Sequence, residues 1–286
     1  MLTDLHVHLR PDEPEASPSE YYDARNAERY RAAARERGIE ELGVSEHIYR
    51  FRQALEIWRH PFWEGFAHDD LDAYCAFVRA QTDLRLGIEA DFIAGAEERT
   101  RDLLAARDFD YVIGSVHFLR DGAVDMDDYS VWDAHEASPE QVWQTYFATI
   151  AASARSGLFD VIAHPDLVKY WGDRARTPNG DLRRYYEPAV AAIAEAGVAV
   201  ELSTAGLRKP AGELYPARDF LEMCVQAGVP VALSSDAHRP EDIGAGYPQA
   251  LALLDALGVR ELCVFERRRR SLRALGASVG SGAEAS

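Results

Sequence analysis

The chain reads as an α/β protein whose parallel strands close into a barrel. Two observations predict this. Strand-like and helix-like segments alternate about seven or eight times along 286 residues, a length that barrels of this class use as one domain. Such alternation gives parallel strands joined by right-handed crossovers, and the number of units favours closure over an open doubly wound sheet. The second observation concerns chemistry. Histidines and carboxylates recur at the C-terminal ends of the expected strands, which share one face in a parallel barrel.

Leu2 to Leu9 is the first expected strand, and it carries His6-Val7-His8. Residues i and i+2 of a strand point to one side, so the two imidazoles project together. Arg10 to Ser17 is rich in Pro, Asp and Glu and reads as a loop, and Ser19 then caps a helix that runs to Arg37 and stops at Gly38. The second strand, Glu41 to Ser45, ends in Ser45-Glu46-His47. Ile48 to His68 is irregular and aromatic, with Tyr49, Phe51, Trp58, Phe62, Trp63 and Phe66. These rings suit either a pocket wall or core packing. A helix follows from Asp69 to Thr82, then a strand from Leu84 to Ile88 that ends in Glu89-Ala90-Asp91.

A helix spans Glu97 to Arg107, and the strand Asp110 to Val116 ends at His117. Residues 118–138 form an insertion, acidic at Asp125, Asp127 and Asp128. Pro139 opens a helix to Ser156, and the strand Phe159 to Ala163 ends at His164-Pro165-Asp166. Helices at Tyr185 to Ala196 and Pro216 to Ala227 precede strands at Val198 to Leu202 and Val229 to Ser234, the latter ending in Ser235-Asp236-Ala237-His238. A helix from Glu241 to Leu257 and a last strand from Val259 to Phe265 complete the pattern. Arg267 to Arg270 reads as a solvated helix end. Residues 1–275 make one domain, and 276–286, rich in Gly, Ser and Ala, form a tail.

Eight positions therefore converge on one face: His6, His8, His47, Glu89, His117, His164, Asp236 and His238. Six of the nine histidines are among them, while His60, His68 and His135 fall in insertions or loops. Neutral imidazoles and carboxylates are costly to cluster without a partner and are usual around divalent metals. A catalytic zinc takes about three protein ligands, so eight candidates suggest two or three ions with a bridging carboxylate. Paired ions suit phosphoryl transfer to water, because they clamp the attacking and leaving oxygens together.

Composition narrows the partners. A net charge of −17 disfavours nucleic acid, whose binding depends on neutralising phosphates, but not a small phosphorylated substrate beside bound cations. No apolar run reaches the roughly 20 residues of a membrane span, and the N-terminus lacks the features of a signal peptide, so a cytoplasmic protein is expected. Cys75, Cys224 and Cys263 are too few and too scattered for a disulfide framework or a zinc knuckle, and read as small buried apolar groups. Oligomeric state is left open.

His6-Val7-His8, Ser45-Glu46-His47, Gly87-Ile88-Glu89-Ala90-Asp91, Gly114-Ser115-Val116-His117-Phe118, His164-Pro165-Asp166-Leu167 and Ser235-Asp236-Ala237-His238 together resemble the PHP (polymerase and histidinol phosphatase) superfamily. Gly114 to Leu119 and Ser203-Thr204-Ala205-Gly206-Leu207-Arg208-Lys209-Pro210 are similar to its histidinol-phosphatase branch. The matches run in order from residue 4 to residue 240. The resemblance implies a distorted (β/α)7 TIM-like barrel with the metal site at the C-terminal face. It implies two to three divalent ions, zinc, manganese or iron. His6, His8, Glu89 and Asp236 would hold one ion; Glu89, His117 and His164 a second; His47 and His238 a third. Many relatives carry another histidine just after the first pair. Here that loop is Leu9-Arg10-Pro11-Asp12-Glu13-Pro14, and Asp12 is the expected substitute. An oxygen ligand there would favour harder ions such as manganese.

The implied activity is metal-assisted hydrolysis of L-histidinol phosphate, a step of histidine biosynthesis, with Glu89, Asp236, His238 and Arg208 closest to the chemistry. Arg208 and Lys209 would meet the phosphate, where a guanidinium makes planar, charge-assisted contacts. One rival is a PHP phosphoesterase with another phosphorylated substrate. A second is a metal-dependent amidohydrolase, which often bridges its metals with a modified lysine; only Lys169 and Lys209 are present, and neither ends a middle strand. A third is a metal-binding protein without activity, which the retention of nearly every ligand position opposes.

Overall fold

A computed structural model describes residues 1–11, 17–133 and 138–275. The strands in chain order are β1 (Leu2–Asp4), β2 (Ile39–His47), β3 (Arg85–Asp91), β4 (Tyr111–Ser115), β5 (Phe118–Leu119), β6 (Gly122–Ala123), β7 (Val161–Ile162), β8 (Ala199–Ser203), β9 (Val231–Ser234), β10 (Glu261–Glu266) and β11 (Arg269–Ala274). Seven of them form one parallel sheet in the order β1-β2-β3-β4-β7-β8-β9. The last strand returns to the first: Val7 bridges Ala237 in parallel, His8 N donates to Ala237 O at 2.8 Å, and Thr3 Oγ1 donates to Leu233 O at 3.1 Å. The result is a nearly closed seven-stranded barrel with helices outside it, as expected.

Register fixes who meets at the rim. His47 on β2 pairs with Glu89 on β3, and Asp91 on β3 pairs with Ser115 at the end of β4. On the other side Ser203 pairs with Ser234, two residues short of Asp236.

The barrel interior is packed by Leu5, Tyr111, Ile113, Val161, Ala163, Ala199 and Ala232 together with Cys263 and Phe265. Tyr111 fills space that two glycines leave on neighbouring strands. A Cβ on Gly43 would lie 2.3 Å from the Tyr111 hydroxyl, and one on Gly87 would lie 2.3 Å from its Cζ. Cys263 and Phe265 belong to β10. This strand is not an eighth barrel stave: it pairs antiparallel with β11 and covers the N-terminal mouth with its apolar side. Residues 267–270, expected as a helix end, instead form the turn of this hairpin and the start of β11. Arg267 and Arg268 adopt positive φ there, and Arg268 ties the hairpin to the barrel through Asp160 and the Leu158 carbonyl.

The outer helices follow the expected pattern with shifted starts. The helix expected from Ser19 begins at Pro18 and breaks into Pro18–Tyr21 and Ala24–Glu36. Proline presets the first turn, and Asp23 then takes an extended conformation that sends the tyrosines inward. Tyr21 Oη donates to Asp69 at 2.6 Å. The helix expected from Glu241 starts at Tyr247, because Gly244 and Gly246 hold positive φ and Pro248 sits in its first turn. The helix Pro139–Arg155 begins where expected, with Ser138 Oγ accepting from Gln141 N at 3.2 Å. Among the described residues the cysteines form no disulfide; Cys224 and Cys263 are buried and Cys75 is partly so.

Candidate metal centre

All eight expected donors meet at the C-terminal ends of the barrel strands. His6 and His8 leave the end of β1, and His47 is the last residue of β2. Glu89 lies in β3, and His117, His164 and Asp236 each come two residues after β4, β7 and β9. Glu89 is the hub, 1% exposed. Its Oε2 is 3.3 Å from His6 Nε2 and 3.7 Å from His8 Nε2, and it also contacts His47 Nδ1. Asp236 Oδ1 closes the set, 3.7 Å from His6 Nε2 and 3.3 Å from His8 Nε2. The other oxygen, Glu89 Oε1, is 3.1 Å from His164 Nε2 and 3.5 Å from His117 Nε2. His238 Nε2 lies 3.4 Å from His47 Nε2, and both rings stack on His8 at 4.2 Å.

These atoms fit divalent ions. His6 Nε2, both nitrogens of His8, Glu89 Oε2 and Asp236 Oδ1 are buried and lack hydrogen-bond partners among the described residues. Buried polar atoms are normally satisfied, so these converging lone pairs suit a divalent cation. Three triplets have the required proximity: His6, His8 and Asp236; His6, Glu89 and His164; His8, His47 and His238. The third triplet adds His8 to the pair expected at the third position. Asp12, expected to complete that position, lies outside the described residues, as does His135.

A ring of residues holds the donors in place. Glu201, 1% exposed in β8, accepts from His6 Nδ1 at 2.8 Å and from the His164 backbone N–H at 2.7 Å, and also from Ser234 Oγ. Asp91 Oδ1 lies 2.7 Å from His117 Nδ1. Glu46 accepts from Leu9 N at 2.7 Å, Arg10 N at 3.1 Å and Arg50 at 2.8 Å, and its Oε2 is 3.8 Å from His8 Nδ1. Carboxylates behind ligating histidines fix tautomer and ring orientation. Of these, Asp91 and Glu46 stand beside donors in the motifs Glu89-Ala90-Asp91 and Ser45-Glu46-His47. Glu201 was signalled only by a charge inside the apolar run Val198 to Leu202.

Electrostatics follow from this arrangement. Burial alone would raise the Glu89 pKa, but His47, His6 and His117 hold it well below the ordinary carboxylate range. Asp236 is lowered likewise, burial being outweighed by His6 and His8. Burial opposes protonation of His117, yet Asp91 and Glu89 lift it to about 10. His47 goes the other way, lowered well below its usual value by burial despite Glu89.

Two donors sit in the left-handed region, His164 at φ 23° and Asp236 at φ 52°. Such backbone persists only where surroundings over-determine it. Glu201 holds the His164 N–H, and Arg208 Nη2 holds the carbonyls of Ser235 at 2.7 Å and Asp236 at 3.1 Å. Arg208 thus secures the turn that presents Asp236. Of the two residues expected at the phosphate, Lys209 lines the adjoining cavity.

That cavity has a volume of about 280 Å³ and opens beside His47, His117, His164, Asp236 and His238. Tyr49, Phe62 and Phe66 from the aromatic insertion form part of its wall, together with Phe118, Asp125 and Met126 from the second insertion. Tyr49 also stacks on His47 at 4.7 Å. Trp58 and Trp63 serve packing instead, edge to face at 5.4 Å. Lys169 takes no part in the centre: it donates to Leu214 O at 2.8 Å and pairs with Asp166 at 2.9 Å. No helix among the described residues is long and apolar enough to cross a membrane.

The PHP domain family model matches residues 19–205. A protein of Deinococcus radiodurans named as a probable histidinol-phosphatase is 33% identical over 246 residues, covering 84% of this chain and 90% of its own. The histidinol-phosphatase of Bacillus subtilis is 31% identical over 183 residues, covering 59% of this chain and 68% of its own. The crystal structure of a Lactococcus lactis histidinol phosphate phosphatase, complexed with zinc, L-histidinol and phosphate, aligns with a TM-score of 0.70 over 95% of this chain and all of its own, at 18% identity. At that identity the likeness speaks for the fold. The family match and the Deinococcus relative, with the donor motifs in order along the barrel, identify the chain as a member of the PHP domain family.

Proposed function

We propose that this chain is a metal-dependent phosphate monoester hydrolase whose substrate is L-histidinol phosphate. The observation that carries the reading is the set formed by His6 Nε2, His8 Nε2, Glu89 Oε2 and Asp236 Oδ1, buried, mutually 3.3–3.7 Å apart across the pairs given above and placed beside a cavity. The relatives named as histidinol-phosphatases supply the substrate. His6, His8, Glu89 and Asp236 would hold one divalent ion, Glu89, His117 and His164 a second, and His47 and His238, beside His8, a third. Zinc, manganese and iron all accept such nitrogen and oxygen donors. Divalent ions there supply Lewis acidity toward a phosphoryl oxygen and lower the pKa of water.

The remaining work falls to the chain. Glu89 and Asp236 stay ionised at neutral pH, because the surrounding histidines hold them low. Lys209 meets the phosphate as a point charge, and Arg208 keeps the Asp236 turn in register. Tyr49, Phe62 and Phe66 offer flat apolar faces to the imidazole of the substrate and exclude bulk water. In the amidohydrolase alternative Lys169 does not serve as the bridging lysine, since it is committed elsewhere.

The test is phosphate release from L-histidinol phosphate by metal-stripped protein reloaded with zinc, manganese or iron, with p-nitrophenyl phosphate as comparison and Glu89→Ala as control. A strong preference for L-histidinol phosphate, lost in the variant, is expected. Equal weak rates on both esters remove the assigned substrate, and no release from either by metal-loaded protein removes the phosphatase reading.

A further inference from the structure

We propose that Asp125 is the specificity residue of this cavity and takes the ammonium group of an amine-bearing phosphate monoester, an assignment that rests on the phosphatase reading above. Apart from the donor cluster, two charged side chains line the cavity, Asp125 and Lys209. They are of opposite sign. A substrate with a phosphate at one end and a cation at the other satisfies both, whereas a monoester without a cation leaves Asp125 Oδ1 without a partner.

Asp125 is placed rather than loose. The residue before it is pinned three times: Val124 N donates to His117 O at 2.9 Å, and the indoles of Trp132 and Trp171 donate to Val124 O at 3.1 and 2.9 Å. Backbone anchored this firmly commits the following side chain to a narrow range of positions. Asp125 Oδ1 is shielded from solvent and has no hydrogen-bond partner among the described residues. An ionised carboxylate oxygen left so is costly, and an arriving N–H donor of positive charge removes that cost. Burial raises the Asp125 pKa, and an ammonium bound beside it would favour the ionised carboxylate.

The experiment compares L-histidinol phosphate with its des-amino analogue, 3-(imidazol-4-yl)propyl phosphate, on metal-loaded wild type and Asp125→Asn. The readout is the ratio of kcat/KM for the two esters. Wild type is expected to prefer the amine-bearing ester by about 10- to 100-fold, the range of one charge-assisted hydrogen bond, and Asp125→Asn to bring the ratio close to one. Both esters are read on one preparation, so a partly folded variant lowers both rates and leaves the ratio intact. Asp125→Glu, which keeps the charge, should retain part of the preference. A wild-type ratio preserved in Asp125→Asn overturns the assignment while leaving the phosphatase reading in place. Wild type that hydrolyses p-nitrophenyl phosphate but neither imidazole ester overturns the assignment and the proposed substrate while leaving the phosphatase chemistry in place.

Discussion

Replacing Glu201 by glutamine should damage the metal centre about as much as removing the side chain. The reason lies in its three donors. The His164 backbone N–H, 2.7 Å from Oε2, cannot change its role, so the amide oxygen of a glutamine must stay there. The amide NH2 then faces His6 Nδ1, which lies 2.8 Å from Oε1, and the hydroxyl of Ser234. A carboxylate only accepts, so His6 carries its proton on Nδ1 in the native chain. Facing an NH2 group, His6 avoids a donor–donor clash only by moving that proton to Nε2. Nε2 is the atom directed at Glu89 and Asp236, and protonated it can no longer bind a cation. Loss of a carboxylate behind a ligating histidine typically weakens metal binding about 10- to 100-fold, roughly 1.4–2.8 kcal/mol. The assay is a competitive metal titration against a chromophoric chelator, with bound metal counted by elemental analysis and the fold checked by circular dichroism. A Glu201→Gln protein that binds metal as tightly as wild type refutes the reasoning, because a merely space-filling role predicts that outcome for an isosteric change.

Two further predictions concern the scaffold. Gly87→Ala should destabilise by about 1–3 kcal/mol through overpacking, since its new methyl meets the Tyr111 ring; in denaturant melts, combining it with Tyr111→Leu should cost less than the sum of the single changes, and strict additivity would disprove the clash. Asp110 is buried, which would raise its pKa, but Arg79 and the N–H groups of Leu86 and Arg267 lower it instead. Its folded pKa is therefore below the unfolded one. The stability it contributes is present above the unfolded value near 4 and is lost as pH falls through the lower folded value. Asp110→Asn should melt below wild type at pH 7, by about 1 kcal/mol, with the gap closing toward pH 3; a gap independent of pH contradicts this.

The barrel and its donors were legible because both rest on local regularities. A strand ends where its apolar run meets His47, His117 or His164, and a parallel barrel brings such ends together whatever the helices do. Helix starts were less legible, because they depend on single backbone conformations. Asp23 in an extended state splits one expected helix, and positive φ at Gly244 and Gly246 delays another. The expected last strand is β10, but the turn into β11 is illegible for a different reason: Arg267 to Arg270 carries no apolar period, and the turn becomes visible only once β10 has somewhere to pack. Glu201 and Asp125 escaped because a lone carboxylate gains meaning from what it faces. The Asp125 insertion reaches the cavity through a two-residue hairpin strand, too short to leave a sequence pattern.

The cover on the N-terminal mouth has a practical consequence. Met1 N donates to Ala274 O at 2.8 Å, so the beginning of β1 and the end of β11 are neighbours, at the pole opposite the donor cluster. In a variant that ends after β11, a short linker joining them would make a continuous ring of chain, and new ends could be cut into a surface loop without breaking a stave. Affinity tags, fluorophores or surface tethers attached at Met1 are likewise carried away from the cavity mouth. The chain can thus be immobilised from below with its site left facing solution.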